Sequence, residues 1–169
     1  MAASSTVSPE ISVVVPVFDE EGNVAALARE IAAAFAGASY EMIFVDDASR
    51  DGTLEALMAL KAGMPQLRVL SHAKNAGQSR ALRTGAEAAR GQVLVTLDGD
   101  GQNDPADAPA LVERLKAGGA ALGLVGGLRL RRPDSWSKRI GSRIGNGVSR
   151  RLLRDDAVDT GCGLKAMWL

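Results

Sequence analysis

One cysteine, one histidine and one tyrosine occur in 169 residues, and aromatic residues make up only 4% of the chain. A single cysteine excludes an internal disulfide framework and a cysteine-rich zinc site, and it fits a reduced compartment. A single histidine, His72, leaves little for imidazole-based catalysis. No charge sign dominates. Twenty basic and twenty acidic residues cancel, so global charge gives no argument for a nucleic-acid partner. No run of 18 apolar residues occurs, so no segment reads as a membrane-spanning helix. Met1–Pro9 lacks the basic start of a secretory signal and reads as a flexible leader, residues 1–9, ahead of one domain over residues 10–169. Hydrophobic residues at 46% and charged residues at 24% exclude a disordered chain and predict a packed core.

Short continuous runs of Val, Ile and Leu recur at Ile11–Val17, Met42–Val45, Leu67–Leu70, Val93–Leu97 and Leu122–Val125. None alternates cleanly with polar residues, which suits strands of a parallel sheet buried on both faces. Helical stripes lie between them: Val24, Leu27, Ile31 and Phe35; Leu54, Leu57 and Met58; Ala81, Leu82, Gly85 and Ala88; Leu111, Val112 and Leu115. Strand and helix alternate, so the chain reads as α/β with βαβ crossovers. From Leu128 to Arg154, nine Lys or Arg residues face one acid, Asp134. Trp136, Ile140, Ile144 and Val148 recur there at four-residue spacing. The stretch reads either as a solvated helical face or as a basic amphipathic helix for an anionic membrane surface. Gly163–Leu169 reads as the start of a further strand, and the expectation is a domain incomplete at its C-terminus.

Polar residues gather where the strands end. The first strand runs into Asp19-Glu20-Glu21, the second into Asp46-Asp47-Ala48-Ser49-Arg50-Asp51, and the fourth into Asp98-Gly99-Asp100-Gly101-Gln102. Open parallel sheets bind ligands beyond the carboxyl ends of their strands. Asp98 and Asp100, two residues apart around a glycine, repel each other unless a cation intervenes. Their hard oxygens favour Mg²⁺ or Mn²⁺ shared with substrate phosphates; the plainer reading is a solvated turn. One of Asp46 and Asp47 is expected to hold a ribose or base, with Asp51 capping the next helix. Asp19 and Glu20 face the same choice between ligand and helix start. No G-x-G-x-x-G follows the first strand, which argues against a dinucleotide pyrophosphate there. His72, after the third strand, reads as a loop residue, and Cys162 as a packed small side chain rather than a nucleophile.

Five ordered motifs then resemble the glycosyltransferase family 2 catalytic domain, in its polyprenyl-phosphate (dolichol-phosphate mannose synthase-like) branch. They are Val15-Pro16-Val17-Phe18-Asp19-Glu20-Glu21, Val45 through Thr53, Asn75-Ala76-Gly77-Gln78 with Ala81 and Gly85, Asp98 through Pro105, and Asp159-Thr160-Gly161-Cys162-Gly163. Asp19 stands where many relatives have Asn. The resemblance implies a GT-A (Rossmann-like) nucleotide-sugar fold with helices on both faces of a mostly parallel sheet. It implies nucleotide contacts from Pro16, Val17, Glu20, Asp46, Asp47 and Gln78, and places Asp98, Asp100 and Gln102 around the metal and the reacting diphosphate. Arg129 and Arg132 match basic residues near donor or lipid phosphates. The implied reaction is metal-dependent, inverting sugar transfer from a UDP- or GDP-linked donor to a polyprenyl phosphate. The enzyme would sit peripherally at the cytoplasmic membrane face. A phosphate monoester is largely dianionic at neutral pH and needs little general-base help, which suits a chain poor in histidine. Three alternatives stand beside this: a domain that binds nucleotide-sugar without turnover, a haloacid dehalogenase-like phosphatase with Asp98 as nucleophile, and a nucleotidyltransferase, which lacks its Gly-rich first loop here.

Overall fold

A computed structural model describes residues 8–127 and 162–169. Among these residues one six-stranded sheet runs in the order β3-β2-β1-β4-β6-β5. Strands β1 (Ile11–Val17), β2 (Tyr40–Asp46), β3 (Leu67–Ser71) and β4 (Val93–Thr96) are mutually parallel. The run at Gly163–Leu169 supplies β6 (Lys165–Trp168), which enters antiparallel between β4 and β5 (Leu124–Gly126). The expected fifth strand is thus shifted by two residues at its start: Leu122 closes a short 3₁₀ turn over Gly119–Ala121.

The unalternating strands are explained by the two cores. Every residue of β1 is buried. Val13, Val15 and Val17 join one cluster and Val14 the other, as a two-residue side-chain period requires. Helices α1 (Val24–Ala34), α2 (Thr53–Lys61) and α4 (Ala108–Gly118) cover the first face through Leu27, Ile31, Leu57, Val112 and Leu115. Helix α3 (Gln78–Ala88) covers the second through Ala81, with Leu82 and Ala86 packed beside it. The small residues of α3 allow a close approach: a Cβ built on Gly85 would overlap Val14 of β1. The α2 stripe is narrower than its spacing predicts. Leu57 is buried, whereas Met58 is 52% exposed.

This arrangement carries the chain ends of β1, β2 and β4 to one edge of the sheet, with the N-terminus of α3 above them. The expected leader falls almost wholly outside the described residues, as does the basic stretch with Arg129 and Arg132.

Candidate functional site at the carboxyl edge of the sheet

Two acidic loops lie side by side at that edge and hold each other by reciprocal hydrogen bonds. Asp19 N–H donates to Ser49 Oγ at 3.0 Å, and Arg50 N–H donates to Asp19 Oδ1 at 2.6 Å. Glu20 N–H donates to Thr53 Oγ1 at 2.8 Å. Glu21 N–H donates to Asp51 Oδ2, and Gly52 N–H donates back to Glu21 Oε2, both at 3.1 Å. Asp19 has φ 55, a left-handed backbone that Asp and Asn adopt more readily than most residues. Its oxygen accepts as an Asn oxygen would, which accounts physically for the exchange of Asn for Asp. Asp51 accepts from Thr53 N–H at 3.0 Å, while Gly52 occupies the cap position itself. Asp51 therefore joins α2 to the first loop as well as starting the helix.

Asp46 and Asp47 part ways at the strand end. Asp46, 1% exposed, accepts from Ser49 N–H at 3.2 Å and Ser71 Oγ at 3.1 Å, and it does not line the cavity described below. The expectation that it faces a nucleotide is corrected: as the last residue of β2, paired with Val17 and Ser71, it is enclosed by its neighbours. Asp47 turns the other way. Its carboxylate accepts from Ala76 N–H at 2.9 Å and Gly77 N–H at 2.7 Å, and lies 2.6 Å from His72 Nδ1. His72 Nε2 lies 2.9 Å from Thr84 Oγ1 of α3. His72, in the loop directly after β3 as expected, is thus held at both ring nitrogens. Burial works to raise the Asp47 pKa, but the hydrogen bonds from His72, Ala76 and Gly77 outweigh it and hold the carboxyl below its ordinary value. Gly77, at φ 90, makes the turn that aims these backbone donors.

Asp98, just beyond β4, is the second centre. Gln78 Nε2 donates to its Oδ1 at 2.8 Å and Asn103 Nδ2 to its Oδ2 at 3.2 Å. These neutral amides orient the carboxylate without cancelling its charge. Asn103 is buried in turn and accepts from Cys162 Sγ at 3.5 Å. A Cβ built on Gly163 would land inside the Asp98 carboxylate, so the start of the last segment passes directly against it. Asp100 is exposed and accepts from Gln102 N–H at 3.0 Å.

A cavity of about 670 Å³ joins the two centres. It brings together Pro16, Val17, Glu20, Asp47, Gln78, Asp98 and Asp100 of the sequence-based set. Gln102 does not line it; it is exposed, and its N–H donates to Asp100 Oδ1. Sequence reasoning missed Phe18, Leu82, Thr96 and Lys165, which also line the cavity. Lys165 had a legible signal, because a strand at Gly163–Leu169 was expected, but its neighbour in the sheet was not.

The family model described as Glycosyl transferase family 2 matches residues 12–167. The chain belongs to glycosyltransferase family 2. Among its relatives, an undecaprenyl-phosphate 4-deoxy-4-formamido-L-arabinose transferase of Aeromonas hydrophila is 37% identical over 160 residues, covering 92% of this chain and 48% of that protein. A dodecaprenyl-phosphate galacturonate synthase of Rhizobium johnstonii is 37% identical over 161 residues, covering 94% of this chain and 47% of its own length. The chain therefore spans about half the length of these polyprenyl-phosphate sugar transferases. Among solved structures, glucosyl-3-phosphoglycerate synthase of Mycobacterium tuberculosis with UDP superposes with a TM-score of 0.74 at 23% identity, covering 95% of this chain and 57% of that one. A mannosyltransferase of Pyrobaculum calidifontis with GDP-Man and Mn²⁺ gives 0.69 at 24% identity, covering 96% and 45%. These likenesses establish the fold as GT-A. Family membership also removes the phosphatase and nucleotidyltransferase alternatives.

The family implies a divalent cation, and the donor chemistry can be tested for it. Among the described residues no group of three or more His, Cys, Asp or Glu side chains could hold an ion by itself. Mg²⁺-type sites commonly use one or two carboxylates and complete their shell with water and substrate phosphates. Asp98 and Asp100, both lining the cavity, meet that requirement with oxygen donors only.

Proposed function

We propose that this domain transfers a sugar from a UDP- or GDP-linked donor to a polyprenyl phosphate at the cytoplasmic face of a membrane, with Mg²⁺ or Mn²⁺ held by Asp98 and Asp100. The observation that carries the reading is the single cavity shared by the Pro16–Glu20 and Asp47 end and the Asp98–Asp100 end. Its two ends differ in chemistry as the two ends of a nucleotide-sugar do. Pro16, Val17 and Phe18 offer backbone and apolar surface to a base, and Glu20 and Asp47 offer carboxylates to its polar edge and ribose. Gln78 bridges the ends: it opens α3 beside the Asp47-held turn and holds Asp98.

A bound cation would neutralise charge on the departing diphosphate. Gln78 and Asn103 keep the Asp98 carboxylate facing the cavity during that step. Transfer is then direct: a phosphate oxygen of the acceptor bonds to the anomeric carbon as the bond from that carbon to the donor diphosphate breaks. The sugar configuration inverts and nucleoside diphosphate leaves. The acceptor oxygen needs no proton removed, which fits a site whose one histidine is occupied with Asp47 and Thr84.

Gln102 is proposed to act through its backbone link to Asp100, and Arg129 and Arg132 as phosphate contacts by family resemblance. Support for the acceptor comes from the polyprenyl-phosphate relatives and from the basic Leu128–Arg154 stretch. No helix among the described residues is long and apolar enough to cross a membrane. The test is incubation of the chain with undecaprenyl phosphate and a panel of UDP- and GDP-sugars in Mg²⁺ or Mn²⁺, read by mass spectrometry of the lipid. A glycosylated lipid with one donor is the expected result. Donor binding without lipid product would instead favour the domain that binds without turnover.

A further inference from the structure

The cavity contains a charge that the reading above leaves unused. Glu20, Asp47, Asp98 and Asp100 line it, and among the described residues Lys165 is the one cation that does. We propose that the Lys165 ammonium binds a phosphate oxyanion inside this cavity, either the donor diphosphate or the phosphate of the lipid acceptor. The proposal rests on the nucleotide-sugar reading and deepens it.

The strand pattern puts Lys165 where this requires. Leu164 and Ala166 belong to the core on the α1 side, so Lys165 and Met167 face α3. Met167 packs against the α3 core, and Lys165 lies two residues nearer the sheet edge. Its cross-strand partner on β4 is Thr96, which shares the same face and also lines the cavity. On its other side Lys165 pairs with Gly126 of β5. Thr96 Oγ1 donates to Gly163 O at 2.8 Å, tying the turn before β6 to β4. Lys165 is therefore presented by a strand paired on both sides, not by a loop, and such support holds a binding group in place before its ligand arrives. Gly163, two residues earlier, runs against the Asp98 carboxylate, so the Lys165 strand begins beside the proposed cation site.

The electrostatics point the same way. Four carboxylates repel an entering phosphate group. Two of them are offset by a divalent cation in the reading above. A lysine on the cavity wall supplies further attraction as a point charge, a common mode of phosphate binding.

The experiment titrates the full chain and its Lys165→Met and Lys165→Arg variants in chelator, so that no metal mediates binding. One arm uses UDP and GDP against uridine and guanosine; the other uses farnesyl phosphate against farnesol. Thermal melts confirm that each variant is folded. The expected result is that Lys165→Met weakens a phosphate-bearing probe about tenfold or more, leaves its phosphate-free counterpart unchanged, and is largely rescued by Lys165→Arg. Loss in the nucleotide arm assigns the donor, and loss in the farnesyl arm the acceptor. Unchanged affinity for both phosphates overturns the proposal, as does equal weakening of the phosphate-free probes. A wild-type chain that binds no phosphate-bearing probe in chelator overturns this proposal, and one that binds neither nucleotide nor nucleoside even in Mn²⁺ overturns the nucleotide-sugar reading as well.

Discussion

His72 Nδ1 lies 2.6 Å from Asp47 Oδ1, and the same carboxylate receives the backbone N–H groups of Ala76 and Gly77. One buried carboxylate thus joins the end of β2, the end of β3 and the start of α3. Gln78, the next residue, reaches Asp98. The two ends of the cavity are connected through this short chain of contacts.

Asp47→Ala is expected to weaken nucleoside diphosphate binding even in chelator. Loss of a charged hydrogen-bonding group typically costs about 1.5–3 kcal/mol. Calorimetry on the folded fraction measures it. A variant that melts earlier yet binds nucleotide normally would make Asp47 a purely structural clamp.

How far the sequence foretold this site depends on the kind of contact. The first four strands and the four helices were legible because their apolar runs and stripes answer to burial, and the fifth and last strands were legible as short apolar runs, the fifth displaced by two residues at its start. The cluster of acids at the strand ends was legible for the same reason, since polar residues must follow where a buried strand surfaces. The division of labour within it was not. Asp46 and Asp47 are chemically identical, buried neighbours; Asp46 pairs within the sheet as the last residue of β2, whereas Asp47, just beyond it, lines the cavity. The loop position of His72 was legible but its contact was not, because its partner, Asp47, stands 25 positions earlier and is set beside it by strand register. The insertion of β6 between β4 and β5 was likewise hidden, because a short antiparallel strand carries no mark of its neighbours, and Lys165 was missed with it.

Acid stability follows from Glu41, a buried carboxylate at the opposite end of the sheet. Burial favours its neutral form, but Arg68 at 2.7 Å, Ser12 Oγ at 2.8 Å and Arg90 N–H at 2.8 Å more than compensate, so its pKa lies below the ordinary value. A depressed carboxylate pKa stabilises the fold above the unfolded-state pKa, and that stability is lost as pH falls through the folded-state value. Glu41→Gln is therefore expected to lower stability by about 1–3 kcal/mol at pH 7, with the difference shrinking as pH drops below about 4. Denaturant melts of both proteins from pH 7 to pH 3 check this. A constant gap across that range would show that the charge of Glu41 does not matter.

Gly163→Ala tests the packing against Asp98. The added methyl has no room unless the carboxylate moves. Mn²⁺-dependent nucleotide binding is expected to fall about tenfold or more, equivalent to about 1.4 kcal/mol, while metal-free nucleotide binding persists. Titrations with and without Mn²⁺ separate the two, and intact Mn²⁺ dependence would mean that the position of Asp98 is not critical.

The basic Leu128–Arg154 stretch lies outside the described residues, and its proposed role at a membrane is testable directly. The chain is expected to sediment with anionic vesicles at low salt and to be released as salt rises, each near-surface charge contributing about 1 kcal/mol. Reversing Lys138, Arg139 and Arg143 together is expected to abolish this without changing donor affinity. Equal vesicle binding by the triple variant would leave the stretch as a solvated face.

The claim that Asp98 and Asp100 hold a cation against the donor diphosphate is tested most directly by titrating UDP and GDP into the wild-type chain and Asp100→Ala, each in Mn²⁺ and in chelator. Asp100 is exposed and, among the described residues, accepts from Gln102 N–H, so the variant is expected to fold normally. The account predicts that Mn²⁺ tightens binding of one nucleotide by about tenfold or more in the wild type and by nothing in Asp100→Ala. An equal gain from Mn²⁺ in both proteins would contradict it.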